Sequence, residues 1–296
     1  MRAHTPKKPI PPELVILILE VALATPVSVP PSASDRQLRT SVLLLSHSLR
    51  DIFIKRIYDT VVLWSESAIH GFAETVRISP LLGSLVINLW AGNGGIRNEC
   101  AFSRENSGTD DCVGCLEDIM SATTNLQRLY IAFGDPSFSR KIRCRIPETI
   151  RHLAIPQHWF PIYTLPASLT EADKTSPGIV SIHVRGQFII QDILCNMRFF
   201  AQPFRLTLEI YDEHEDLRHL MRLIHKMYLL CRSGPQQCSV EFVSSPDKFE
   251  RVKEVFTKIE AYYHGGFRPE GVSIGNQELD EEAQLRAWLS SDGHPL

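Results

Sequence analysis

Cys112-x-x-Cys115, with Cys100 twelve residues earlier, is the pattern in these 296 residues that comes nearest to a reactive centre. Two cysteines at that spacing hold a zinc ion or cycle between thiol and disulfide. A structural zinc needs four ligands, and no second CxxC or HxxxH pair lies at a suitable distance. A polar insertion over residues 92–111 makes a surface loop the plainer reading, so no metal ligand is assigned. Gly92-x-Gly94 follows a predicted strand, as in a dinucleotide-binding turn, but Arg97 stands where the third glycine belongs and no apolar-periodic helix follows directly. It reads as a glycine-rich loop, and no cofactor is assigned.

Nucleophilic catalysis finds no support either. The chain has no G-x-S-x-G and no H-E-x-x-H. Ser46-His47-Ser48 sets hydroxyls beside an imidazole, but within a helical stretch, where neighbours point about 100° apart and do not face one another. Asp212-Glu213-His214-Glu215-Asp216 packs four acids into five positions and could gather a cation. It opens a helix, however, where acids favour the dipole, and a solvated helix start is the plainer reading. Trp159-Phe160-Pro161-Ile162-Tyr163 reads as a plug over the repeat core before it reads as a partner hot spot; Trp159, Phe160 and Tyr163 are the candidate partner contacts. No residue is assigned a catalytic role, and the chain reads as a binding protein and not an enzyme.

The elements that must position these residues fall into two regimes. Pro11-Pro12-Glu13 starts a helix, since proline is tolerated in the first turn and an acid suits the positive end of the dipole. Leu14, Leu17, Ile18 and Val21 form one stripe along it, while Val15, Ile16, Leu19 and Leu23 cover much of the remaining circumference. A short helix that is apolar nearly all round must be covered on two sides, and a module this small cannot supply both covers. Residues 25–34, with three prolines, read as a loop. Ser34 or Asp35 can cap a second helix carrying Leu38, Val42 and Leu45. Leu49, Ile52, Phe53 and Ile57 continue as a third helix or a kinked extension to about residue 58.

From residue 60 the pattern changes to short strands and helices. The stretch 60–64 is β-rich and is the first expected strand. Leu126-x-x-Leu129-x-Ile131, Ile150-x-x-Leu153-x-Ile155 and Ile179-x-x-Ile182-x-Val184 share one template, their starts 24 and then 29 residues apart. Those periods lie inside the leucine-rich-repeat range. Val86-x-x-Leu89-x-Ala91 is an earlier, poorer copy, followed by the polar insertion. Residues 204–211 and 238–243 give later strands. Helices are expected over 214–231, with Leu217, Leu220, Met221, Ile224, Met227 and Cys231 on one face, and from Ser245-Pro246-Asp247 onward, lined by Phe249, Val252, Phe256, Ile259 and Tyr263. Such alternation predicts a curved, mostly parallel sheet with helices on its outer side. Residues 265–296 are expected to be a loosely held tail, with one helix near 276–289.

Composition narrows the partners. Apolar residues make up 44% and the formal net charge is −3, which suits a folded chain and argues against nucleic acid. Seven irregularly spaced cysteines and the lack of any Asn-x-Ser/Thr sequon fit reduced thiols in the cytoplasm or nucleus. No apolar run is long enough to span a membrane. Arg2, Lys7 and Lys8 ahead of an apolar stretch ending Ala22-Leu23-Ala24 have the outline of a secretory signal, as a secreted hydrolase would carry. Glu20 inside the stretch and the prolines that open it speak against that reading.

Ile10-Pro11-Pro12-Glu13-Leu14 followed by Ile18-Leu19-Glu20 resembles the opening of an F-box. The run from Leu43 to Arg50 (Leu-Leu-Leu-Ser-His-Ser-Leu-Arg) is similar to that module's later segment, and Ile57-Tyr58-Asp59-Thr60-Val61-Val62-Leu63 resembles its exit into the next domain. The whole is similar to fungal F-box-like proteins with degenerate leucine-rich repeats. Leu49 stands where a bulky aromatic is usual, His47 where a basic residue is common, and residues 25–35 are proline-rich in place of a short acidic turn. The resemblance implies an α/β chain: a small all-α F-box-like N-terminal module followed by an irregular leucine-rich-repeat-like α/β solenoid. Its parts would be a disordered lead (1–9), the F-box-like module (10–58), the repeat domain (59–264) and a flexible C-terminal tail (265–296). It further implies a substrate adaptor of a cullin-RING ubiquitin ligase, docking an SKP-family adaptor through Pro12, Leu14, Leu17, Ile18, Val42, Leu45 and Leu49 and holding a target protein on the repeats. The alternative is a protein-binding repeat scaffold with no ligase link.

Overall fold

Proline and glutamate at the head of the first helix do what their chemistry dictates. In the computed structural model, which describes residues 12–24, 33–92, 109–131, 147, 149–156, 179–185, 200–210, 225, 238–262, 272–276 and 288, α1 spans Pro12–Ala24. It is followed by α2 (Ala33–Leu45) and α3 (His47–Asp59). The chain divides into two units, Met1–Asp59 and Thr60–Leu296.

In the first unit one apolar side chain from each helix, Leu19, Val42 and Phe53, forms the buried core. Val15, Ile16, Leu23, Leu49 and Ile57 pack half-buried around it. The sequence left open whether the third helix continues the second, and placed Ser46-His47-Ser48 inside a helical stretch. The structure corrects this: Ser46 breaks the helix and caps α3. Its Oγ accepts the Leu49 N–H at 3.1 Å and its carbonyl accepts the Arg50 N–H at 2.9 Å. A hydroxyl there satisfies a donor that the first helical turn leaves without a partner, which is why serine ends one helix and begins the next.

The second unit is built on eight strands: β1 (Thr60–Leu63), β2 (Asn88–Ala91), β3 (Arg128–Ile131), β4 (His152–Pro156), β5 (Ile179–Arg185), β6 (Phe200–Ile210), β7 (Cys238–Ser244) and β8 (Val272–Asn276). All pair in parallel, and their order in the sheet is their order in the chain. Connections that advance one strand at a time, all right-handed, run over the same face of a sheet. The expected strands at 60–64, 204–211 and 238–243 are present as β1, β6 and β7. Pro203 falls in the stretch of β6 between the partners of Ile179 and Ser181, where the register shifts and no ladder donor is required.

The repeat template is visible in the backbone itself. At its first position the N–H groups of Val86, Leu126 and Ile150 close the same turn, each donating to the carbonyl three residues back at 3.1 Å. One residue on, a carbonyl accepts two successive N–H groups of the next repeat: Ile87 from Gln127 and Arg128, Gln127 from Arg151 and His152, Arg151 from Val180 and Ser181. Side chains tie the turns together, with Asn125 Nδ2 donating to the Ser84 carbonyl and Thr149 Oγ1 to that of Leu126, both at 2.7 Å. Leu89, Leu129, Leu153 and Ile182 lie side by side in register and are all buried.

Three sequence expectations change. Residues 66–78, where no helix was placed, form α4 (Glu66–Ile78), capped by Ser65 Oγ and burying Ile69, Phe72, Ala73 and Val76 at helical spacing. After the short α5 (Pro80–Ser84), α6 (Thr109–Ala122) takes in both cysteines assigned to a surface loop, and Cys115 is buried. Gly83 lets α5 close on α6, since a Cβ there would meet the Ala122 carbonyl oxygen at 2.7 Å. Finally, β8 and Trp288 lie in the stretch expected to be a loose tail. Val272 and Ile274 are β8's only large apolar residues, too weak a signal to reveal a strand, and Trp288 is buried. The last described helix, α7 (Pro246–Tyr262), opens where Ser245-Pro246-Asp247 predicts. It buries Val252, Val255 and Phe256, with the Phe256 ring set edge-on to Phe242 at 5.1 Å.

Candidate interaction surfaces

α1 has eight large apolar residues around a 13-residue rod, and its two sides have different fates. Leu19 is buried, and Val15, Ile16 and Leu23 face the bundle core. Leu14, Leu17, Ile18 and Val21, the stripe singled out in the sequence, are 50%, 54%, 59% and 65% exposed. Spaced at i, i+3, i+4 and i+7, they form one continuous apolar face turned to solvent. Leu38 and Leu44 on α2 and Ile52 on α3 are exposed as well. Scattered apolar residues on a surface need no explanation, whereas a contiguous stripe is a feature that calls for one.

The residues assigned to adaptor docking divide accordingly. Leu14, Leu17 and Ile18 lie on the exposed stripe. Val42 does not: it is 1% exposed and belongs to the core, where it holds α2 against α1 and α3. Leu49 packs partly buried against the same core and donates its N–H to the Ser46 cap. Both residues are assigned by position in the resemblance, and position does not distinguish the inward from the outward side of α2 or α3. The side chains of Pro12 and Leu45 lie outside the described residues, as do Trp159, Phe160, Tyr163, the 212–216 acidic run and the 214–231 helix apart from His225.

In the second unit the alternation of each strand separates two unlike faces. One is aliphatic: Leu89 and Ala91, Leu129 and Ile131, Leu153 and Ile155, Leu206 and Leu208, Val240 and Phe242. α7 packs on this side through Phe256. The opposite face carries polar and aromatic rows. Asn88, Arg128, His152, Ser181, Arg205 and Ser239 stand in one register line, and Trp90, Tyr130, Ala154, His183, Thr207 and Glu241 in the next. Neighbours within and between these rows bond to one another. His152 Nδ1 and Ser181 Oγ are 2.9 Å apart, Asn88 Nδ2 donates to Thr60 Oγ1 at 3.0 Å, and Arg205 pairs with Glu241.

The most densely built part of that face is aromatic. Trp90 and Tyr130 stack with ring centroids 3.4 Å apart and planes 9° from parallel. Trp288 meets Trp90 edge-on at 5.7 Å. Arg128 lies over the Trp288 ring at 4.9 Å and donates Nη2–H to the Trp288 carbonyl at 2.9 Å. Trp90 and Tyr130 are fully buried, and burial pushes the Arg128 guanidinium below its ordinary value. The sequence reading missed all four residues. Trp90, Tyr130 and Arg128 occupy the x positions of the template, so reading those positions as a set would have found them. Trp288 carries no local signal.

The cysteine motif comes to a different end. Cys115 Sγ lies 3.2 Å from His70 Nδ1, and His70 Nε2 lies 3.9 Å from Glu66 Oε1. The thiol–imidazole–carboxylate sequence has the order of a cysteine nucleophile with its base and orienting group. Cys115 is 3% exposed, however, so no substrate carbonyl reaches the sulfur. The contact joins α6 to α4, as does the Arg77–Asp118 pair, with Nε and Nη2 at 2.8 and 2.6 Å from Asp118 Oδ2. Cys112 is on the same helix, while Cys100 and Gly94 lie outside the described residues. Gly92 extends the sheet ladder, its N–H donating to the Leu63 carbonyl. Among the described residues, no three His, Cys, Asp or Glu side chains gather to hold a metal ion.

No protein-family model, curated protein or solved structure matches the chain. Among the described residues, no helix is long and apolar enough to cross a membrane.

Proposed function

We propose that the chain is a non-catalytic adaptor of an SCF-type ubiquitin ligase: its helical unit docks an SKP-family protein and its sheet unit, an irregular leucine-rich-repeat-like solenoid, holds a target protein. The observation that carries this reading is the exposed stripe of Leu14, Leu17, Ile18 and Val21 on a helix whose other side already packs on its own core. A helix in that situation lowers its free energy by giving the stripe to a partner; each large aliphatic side chain removed from water contributes about 1.5–3 kcal/mol. A stable contact buries roughly 800 Å² on each partner. Four stripe residues do not supply that area alone, and the exposed Leu38, Leu44 and Ile52 are the apolar residues available to extend it within the same unit.

Two further features support the assignment. The resemblance of residues 10–58 to an F-box falls on the unit Met1–Asp59, which separates from the rest at the place where the resemblance ends. The sequential all-parallel strand order, with the same turn and carbonyl pattern at the copies that start at Val86, Leu126 and Ile150, is what stacked repeats produce. The test is a pull-down with the SKP adaptor, comparing the wild type with Leu14→Asp and Ile18→Asp. The wild type is recovered, and each variant drops at least tenfold. Equal recovery of all three overturns docking through α1, and no recovery of the wild type leaves a repeat scaffold without a ligase link.

A further inference from the structure

A serine stands just before α3, α4, α5 and α7, where a hydroxyl normally satisfies a donor that the first helical turn leaves over. Ser46 Oγ accepts the Leu49 N–H and Ser65 Oγ the Ala68 N–H. The Ser245 hydroxyl bonds to the Asp247 carboxylate and holds that carboxyl below its ordinary value. Ser79 differs from all three. At the head of α5 its side chain makes no capping bond, and the residue is partly exposed. Helix capping therefore does not explain this hydroxyl.

Its surroundings are unusual as well. Pro80 follows, and a proline disfavours helical backbone at the residue before it, so α4 stops at Ile78 and Ser79 takes φ −135° and ψ 83°. The backbone there is fixed on both sides: the Ser79 N–H donates to the Thr75 carbonyl, and the Ser79 carbonyl accepts the Leu82 N–H. Pro80 is exposed. Ile78 and Leu81 are 77% and 79% exposed, and among the described residues they are the large apolar side chains that the sheet unit leaves in water. One non-helical junction thus presents a serine that caps nothing, the proline after it and an aliphatic side chain on either side.

We propose that Ser79 is a phosphorylation site for a proline-directed serine/threonine kinase. Proline after the acceptor has no N–H to bury without a partner, so it suits an apolar pocket beside the transfer site. In the step, Ser79 Oγ attacks the γ-phosphorus of Mg-bound ATP. The new O–P bond forms as the bond to the β-phosphate oxygen breaks; the hydroxyl proton passes to the kinase's aspartate, and ADP leaves. The product carries about −1.5 to −2 charge at pH 7. It stands at the carboxyl end of α4, where the helix dipole is already negative, two residues from the Arg77 that pairs with Asp118 of α6. Phosphorylation therefore loosens the end of α4.

The full chain is incubated with a purified proline-directed kinase and Mg-bound ATP, beside a synthetic peptide of residues 73–86, and phosphate is located by mass spectrometry. Both are modified at Ser79, the folded chain at no less than about a tenth of the peptide's rate. Pro80→Ala lowers the rate at Ser79 at least tenfold in chain and peptide. An unmodified peptide, a modified peptide beside an unmodified chain, or undiminished modification after Pro80→Ala overturns the proposal. The peptide comparison needs no fold, so it stands even where the full-length variant does not fold. Fully phosphorylated chain melts below the unmodified chain, and an unmoved midpoint overturns the loosening of α4. The adaptor pull-down reads the helical unit and this assay reads the sheet unit, so either can fail without the other.

Discussion

The helical unit and the sheet unit solve the same problem, where to put apolar surface, with opposite results. Seven of the nine exposed large apolar residues among those described, Leu14, Leu17, Ile18, Val21, Leu38, Leu44 and Ile52, belong to the first 59 residues. The sheet unit exposes Ile78 and Leu81 and encloses its aliphatic ladder completely at Leu89, Leu206, Val240 and Phe242. Size accounts for part of the difference, because a domain of about 60 residues buries a smaller fraction of its surface than a larger one. It does not account for a stripe that is continuous along one helix. In a parallel sheet each strand covers its neighbour's apolar side chains, whereas among the described residues of the helical unit the stripe on α1 is exposed.

Substitutions that break the contrast rank by how many contacts each removes. Leu89→Ala in the ladder is the largest. It leaves a hole between two strands and costs about 2–5 kcal/mol, read as a lowered midpoint in urea unfolding. Gly83→Ala follows, because the added methyl has the Ala122 carbonyl oxygen at 2.7 Å and must push α5 from α6, at a cost of roughly 1–3 kcal/mol in the same assay. Ser46→Ala is the smallest. Losing the cap on α3 costs about 1 kcal/mol, visible as reduced helicity in circular dichroism; Ser46→Asp, which keeps an acceptor, restores it. An unchanged stability in Ser46→Ala would mean that the Ser46 hydroxyl does not hold the start of α3.

What was legible in the sequence follows from what each signal encodes. The template positions Leu126, Leu129, Ile131, Ile150, Leu153 and Ile155 gave both strand place and buried face, because a strand's period of two couples position to side. α1 was equally legible as a helix, yet the inward and outward roles of Leu19 and Ile18 were not, since both sides are apolar. Val42 was grouped with the docking residues by its position in the F-box resemblance, which does not say which side of α2 faces the core. α4 was missed although Ser65 and the spacing of Ile69, Phe72, Ala73 and Val76 carry the full helical signature. The Cys112–Cys115 spacing drew attention to metal chemistry and away from the helix that contains it. Trp288 was beyond local reading, because its place depends on a return across the sheet that no neighbouring residue encodes.

The proposed division of α1 into an inner side for the protein and an outer side for a partner is tested most directly by two adjacent residues. Ile18→Asp and Leu19→Asp differ by one position and place the same charge on opposite sides of the helix. Thermal unfolding and adaptor binding are measured for both. Ile18→Asp melts with the wild type, within the roughly 0.5 kcal/mol expected of a surface change, and loses the adaptor; Leu19→Asp melts well below it. Equal destabilisation by the two substitutions, or undiminished adaptor binding by Ile18→Asp, would contradict the account.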